Sequence, residues 1–270
     1  MADKLLTADV IDDTLGASAA TRAPALERGI ALLQVLASSQ RDRSLAELSD
    51  AIGVSRSTVY SLLMTLQRAR LVQKDPRHKT YRLGIGLFEL GSAYLHGVSL
   101  IPLFNDVAAS LVERCRETVK LAVLDGREVV YLAKQEGLYS VRLVARIGSR
   151  MAAHATAVGK VLLMPLSDDA IAALYAGYEF PQRTAQTVGA LDALLSEVRA
   201  ARQHGYALDR EEANDGVQCV AAPIYDHSGA LIAAMSVGVP NDRLDAARME
   251  QLREQVIAHA RLVSQRLGYA

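Results

Sequence analysis

Apolar positions spaced three and four apart open the readable part of the chain. Leu26, Ile30, Leu33 and Leu36 predict a helix over 24–38. Ser44 followed by Glu47 is a capping box for a second helix, striped by Leu45, Leu48 and Ile52 and ended by Gly53. Ser55 caps a third helix to about Ala69, with Val59, Leu62, Leu63 and Leu66 on its buried face. Two short helices joined by a glycine-containing turn form a helix-turn-helix. Residues 71–74 and 80–83 then alternate as strands around an Asp75-Pro76 turn, which makes a wing. Residues 84–98 predict a linker helix with a stripe of Leu87, Phe88, Gly91, Tyr94 and Leu95.

Beyond that helix the period changes. Residues 101–117 read as helix. The runs 121–124 and 129–132 flank Asp125-Gly126, a hairpin signal. A strand is expected over 141–145 and helices over 157–165, 167–176 and 190–204. A second hairpin, 219–225 with 231–237, precedes a last helix over 242–267. Strand pairs separated by helices define an α+β class with an antiparallel sheet. The expected organisation is a flexible segment 1–22, a winged helix-turn-helix domain 23–83, a linker helix 84–98 and a second domain 99–270.

The 270 residues carry 30 Lys+Arg and 30 Asp+Glu, but the balance is uneven. Residues 22–82 hold 11 basic and 5 acidic residues, whereas 1–21 hold 1 and 4. A basic segment in a neutral chain points to a nucleic-acid surface confined to one domain. Two cysteines, Cys115 and Cys219, exclude a disulfide scaffold and every four-cysteine zinc motif, and suit a reducing, cytoplasmic setting. No apolar run reaches 18 residues, and the first residues lack the layout of a secretory signal, so no membrane association is expected.

On the third helix Arg56, Ser57, Thr58 and Tyr60 are candidates for groove contact with a double-stranded DNA operator. Thr58 sits in the first turn, where it could serve the helix start instead. Arg28, Arg68, Lys74, Arg77, Lys79 and Arg82 are candidate phosphate partners.

The run SLAELSDAIGVSRSTVYSLLMTLQRARLVQKDPRHKTYRLG resembles the winged helix-turn-helix of the IclR family of bacterial transcriptional regulators. HATAVGKVLL and DREEANDGVQCVAAPIYDHSGALIAAMSVGVP resemble that family's effector-binding domain. The resemblance spans about residues 24–268. It implies a homodimer or dimer of dimers on an operator, and a GAF-like or profilin-like domain for a small-molecule effector such as a small carboxylate or aromatic acid. It does not fix repressor or activator. It places Ala157, Val158, Asp209, Cys219 and Ser236 on pocket positions, with Leu143 and Met151 as apolar wall. Ala157 stands where some relatives have glycine.

Read as chemistry, the small residues 154–159 before an apolar helix let a ligand approach backbone N–H groups, or else form a tight packing corner. Lys160 reads as a structural or surface lysine with its stem free to snorkel. Glu211 and Glu212 read as structural or solvated. Two alternatives use the same residues: a metal-sensing regulator with His154, Asp209 and Cys219 as ligands, and a cysteine-dependent enzyme with the same three as base, orienter and nucleophile. No phosphate loop or dinucleotide fingerprint is present, and no cofactor is expected.

Overall fold

A computed structural model describes residues 23–96, 100–139 and 146–269. The segment 1–22, the strand expected over 141–145 and Leu143 lie outside them. The side chains of Tyr94 and Leu95 are also outside the description. The chain divides into two compact units, the first ending at Gly97 and the second starting at Val98.

In the first unit, helices α1 (Pro24–Ser38), α2 (Leu45–Ile52) and α3 (Arg56–Arg68) precede the hairpin β2 (Val72–Asp75) and β3 (Thr80–Leu83). The capping box is formed on both sides, and Gly53 ends α2 in the left-handed region at φ 67°. Leu32, Leu36, Leu48, Val59, Leu63, Val72 and Tyr81 make the core. The stripe read on α1 is rotated relative to expectation: Gly29, Leu32 and Leu36 are buried, whereas Leu26 and Ile30 are exposed. A two-residue strand, β1 (Arg43–Ser44), pairs with β3 and completes a three-stranded sheet, order β1-β3-β2. Helix α4 (Ile85–His96) follows. Its start is fastened to the wing root. Gly84 N–H donates to the Leu71 carbonyl at 2.8 Å and Gly86 N–H to that of Arg70 at 2.9 Å. A Cβ at Gly84 would collide with the Arg70 carbonyl.

The second unit carries α5 (Leu100–Cys115), β4 (Val119–Asp125), β5 (Glu128–Gln135), β6 (Arg150–Ala152), α6 (Ala157–Leu162), α7 (Asp168–Leu174) and α8 (Leu191–His204). After these come β7 (Ala207–Arg210), β8 (Val217–Tyr225), β9 (Leu231–Pro240) and α9 (Ala246–Arg266). The six strands form one antiparallel sheet, order β6-β5-β4-β9-β8-β7. Its two faces are built differently. Large side chains, among them Leu121, Ile224, Met235 and Val237, meet α5 and α9. The other face presents a row of alanines, Ala122, Ala234, Ala221 and Ala207, one on each of four adjacent strands. Small side chains let α6 lie close to the sheet. α6 itself is buried along its whole length. Among the described residues, no helix is long and apolar enough to cross a membrane.

Candidate functional site

In the first unit α3 turns Arg56, Ser57, Tyr60, Met64 and Arg68 to solvent on one face, while Val59 and Leu63 anchor the other. Ser55 caps the helix by accepting from Thr58 N–H. Its hydroxyl also lies 2.9 Å from the hydroxyls of Ser57 and Thr58. Thr58 is therefore engaged in the helix start, the alternative its position suggested, and Ser57 shares that network. Arg28 is exposed on α1. The wing tip is ordered by Asp75, whose carboxylate accepts from Arg77 N–H at 2.7 Å and from His78 N–H at 3.3 Å. Arg77 and Lys79 project from this tip, with Lys79 in the left-handed region at φ 56°. Arg82 is steadied across the hairpin by Gln73 Oε1 at 3.2 Å, and the Lys74 ammonium stands 5.6 Å from the Tyr81 ring centre. The result is an exposed helix and a basic hairpin on one small, well-anchored unit.

In the second unit the alanine row gives way, beyond the N-terminal end of α6, to polar side chains on the same face of the sheet. Here a cavity of about 290 Å³ opens. Met151, Ala157, Val158, Asp209, Cys219 and Ser236 all line it, as do Lys120, Tyr131 and Asn214. Thr156 caps α6 by accepting from Gly159 N–H at 3.1 Å, which sets the bend that places Ala157 and Val158 in the wall. Asp209 sits on β7 opposite Cys219 on β8, and Ser236 on β9 is directly paired with Lys120 on β4.

The electrostatics of this pocket follow from burial. Asp209 Oδ1 accepts from Glu212 N–H at 2.7 Å and Ala213 N–H at 3.3 Å. Burial nevertheless pushes its carboxyl up to about 6, against those two hydrogen bonds and with help from the nearby Glu212 carboxylate. Burial also pushes the Cys219 thiol up to about 12, so it is not a thiolate at neutral pH. At Lys120 burial acts downward, but the acidic groups around it, Cys219, Tyr131 and Asp209, raise it overall. It stays an ammonium ion, 5.3 Å from the Tyr131 ring centre.

A carboxyl raised in this way makes ionisation costly to the fold. The penalty is absent below about pH 4 and complete above about pH 6. Going from 3.8 to about 6 corresponds to roughly 3 kcal/mol. Asp209→Asn, which keeps the accepting oxygen, should therefore gain stability over the wild type as pH rises from 4 to 8, by about 2–3 kcal/mol. Urea titrations at several pH values measure that difference. A gap that widened toward acid pH would refute the assignment.

The constellation His154, Asp209 and Cys219 does not assemble. His154 is fully buried in an aromatic cluster, with ring centres 5.5 Å from Tyr178 and 5.2 Å from Phe180. Its Nε2 faces the Pro181 carbonyl at 3.4 Å, and burial pushes its pKa down. Among the described residues no group of three or more His, Cys, Asp or Glu could hold a metal ion. Lys160 does not snorkel. It is fully buried, and its Nζ donates to Glu212 at 2.7 Å, Glu197 at 2.8 Å and the Leu208 carbonyl at 2.9 Å. Glu212 is thus a structural partner of Lys160. Glu211 accepts from Gly216 N–H and from the Asn241 amide.

A basic winged helix-turn-helix joined to a sheet domain with a small cavity, apolar in wall and set with a few polar groups, defines a ligand-responsive DNA-binding regulator. The chain belongs to the IclR family. The profile of the IclR helix-turn-helix domain matches residues 25–76, and that of the bacterial transcriptional regulator IclR C-terminal domain matches 92–265. The HTH-type transcriptional regulator XynR of Escherichia coli is 36% identical over 90% of this chain and 97% of its own length. The solved IclR of Thermotoga maritima is 28% identical and superposes with a TM-score of 0.74, over 90% of this chain and 98% of that one. An IclR homologue of Microbacterium hydrocarbonoxydans, solved with 4-hydroxybenzoate, shares the fold at 23% identity and a TM-score of 0.74, over 90% and 99%. The chain is thus an IclR-type transcriptional regulator with a DNA-binding helix-turn-helix.

Proposed function

We propose that α3 enters the major groove of an operator, that the wing grips its phosphates, and that a small acid in the sheet-domain cavity changes operator affinity. The observation that carries this reading is the cavity itself, where six residues scattered from 151 to 236 converge on one space. The ligand class proposed at this level is a small carboxylate or aromatic acid. The protein acts in the cytoplasm without catalysing a reaction. In keeping with that, Cys219 is held as a thiol and has no His154 base within reach.

The regulator works as a homodimer or dimer of dimers. Ile85, Phe88 and Leu90 on α4 stand 55%, 71% and 61% exposed, and Leu26 and Ile30 on α1 are exposed too. Apolar surface of that extent on a small unit suits a seam between copies. The last helix, α9, offers less such surface, since it buries Leu252, Val256, Ala260 and Val263.

Operator titrations across salt concentrations test the DNA reading. Arg56→Ala should cost about 1–3 kcal/mol and relax base preference. Lys79→Ala should weaken all sequences alike and lower the salt slope by about 1. Wild-type affinity in both would overturn the assignment. Footprinting in the same titration should show protection of two related half-sites, whereas a monomer would protect one. For the cavity, Ala157→Leu should leave a folded, DNA-binding protein that no longer answers its effector. An undiminished response would place the effector elsewhere.

A further inference from the structure

Three side chains that line the cavity are more than nine-tenths buried, and each keeps hydrogen-bonding capacity that the described residues leave to the cavity. Lys120 is 8% exposed, Ser236 3% and Asp209 2%. Among the described residues the Lys120 ammonium has no carboxylate or carbonyl partner, only the Tyr131 ring. The Ser236 hydroxyl takes part in no hydrogen bond with the described residues. Asp209 commits Oδ1 to two backbone N–H groups, has the Cys219 thiol as a side-chain neighbour and lines the cavity. A few polar groups that converge on a cavity fix the orientation of what it holds, so their chemistry describes the ligand.

Lys120 offers donors and a positive charge, and accepts nothing. Asp209 accepts and repels anions. A ligand that satisfies both has an anionic oxygen at one end and hydroxyl donors at the other. We propose that the effector is an open-chain aliphatic hydroxy acid, its carboxylate on Lys120 and its hydroxyls on Asp209 and Ser236. This rests on the cavity being the effector site, and it decides between the carboxylate classes left open above. An aromatic acid without hydroxyls would present a bare ring edge to Asp209 and Ser236, and a phenolic acid offers one hydroxyl on a rigid ring where an open chain can offer one to each. A site built to bind a hydroxyl rejects analogues that lack it strongly. The cavity is also small, at the lower edge of the roughly 300–1,000 Å³ range of ligand pockets, and Tyr131 is the one aromatic side chain among its described lining. Lys120 becomes the residue that selects acids over neutral polyols, and Asp209 the residue that selects hydroxylated over plain acids.

Calorimetric titration of the full-length protein tests this with glycerate, threonate and gluconate as hydroxy acids of increasing length, benzoate as the aromatic acid and sorbitol as the neutral polyol. At least one hydroxy acid should bind about tenfold or more tighter than benzoate and sorbitol. Lys120→Met should weaken it by about 10–100-fold, the range for a lost charged hydrogen bond, and erase the preference over sorbitol. Asp209→Asn should narrow the preference over benzoate. Circular dichroism confirms that both variants are folded, and Lys120→Arg, which keeps the charge, should recover part of the affinity if Lys120→Met fails to fold. Equal or tighter binding of benzoate, or no binding by any of the three hydroxy acids, overturns the hydroxy-acid class. If benzoate binds and Lys120→Met weakens it, the cavity remains the effector site. If a ligand binds and neither Lys120→Met nor Ala157→Leu affects it, the cavity reading itself has failed.

Discussion

Lys160→Met should lower the stability of the second unit by about 3–5 kcal/mol, because it breaks a buried ion network from one side. The lysine is fully buried and holds two carboxylates and a backbone carbonyl. Removing it leaves Glu212, 5% exposed, charged in a low-dielectric interior with one side-chain oxygen that already lacks any partner. Glu197 suffers less, since water reaches it. With a urea slope of about 2 kcal/mol/M, the midpoint should fall by about 1.5–2.5 M with the slope unchanged. Adding Glu212→Gln to the variant should recover part of the loss by discharging the stranded partner. A midpoint within 0.5 M of wild type, roughly 1 kcal/mol, would mean that the network adds no net stability.

Gly159→Ala is expected to be as damaging for a steric reason. A Cβ at this position would run into the Ala153 carbonyl and Cα, which are backbone atoms of the tight turn Ala153–Ala155 and cannot rotate away. Overpacking in cores costs about 1–3 kcal/mol when side chains can adjust, and a backbone collision belongs at or above the top of that range. The cavity wall at Ala157 and Val158 hangs from the same turn through the Thr156 cap. The substitution should therefore reduce both thermal stability and effector affinity. Thermal unfolding with and without effector measures both, and a variant with wild-type values would show that the turn yields easily.

The helix-turn-helix and wing were legible because their signals are local: caps, a turn glycine and two-residue alternation. The rotation of the α1 stripe was not, since Leu26, Ile30 and Leu32 are equally apolar and only the packing of α2 and α3 chooses among them. Strands β1, β6 and β7 are two to four residues long, too short to show a period. In the cavity, resemblance supplied Asp209, Cys219 and Ser236, but Lys120 lay just outside the strand read over 121–124 and received no assignment. The unbroken apolar run 121–124 directly after it is consistent with a strand covered on both faces, but such a run does not settle the flanks: Lys120 is buried at one end and Asp125 exposed at the other. Lys160, between Gly159 and an apolar helix, was no better determined.

The two backbone bonds that fasten the start of α4 to Arg70 and Leu71 bear on how such a regulator can be recombined. With its first turn clamped, α4 holds a fixed azimuth relative to α3, and each residue added within it would rotate whatever follows by about 100° and advance it by about 1.5 Å. The natural module for exchange is therefore the piece that ends at Gly97, not the piece that ends with the wing. A chimera cut at residue 83 would strip the wing root of the segment that buttresses it. One cut after residue 97 would carry the whole buttress to its new partner.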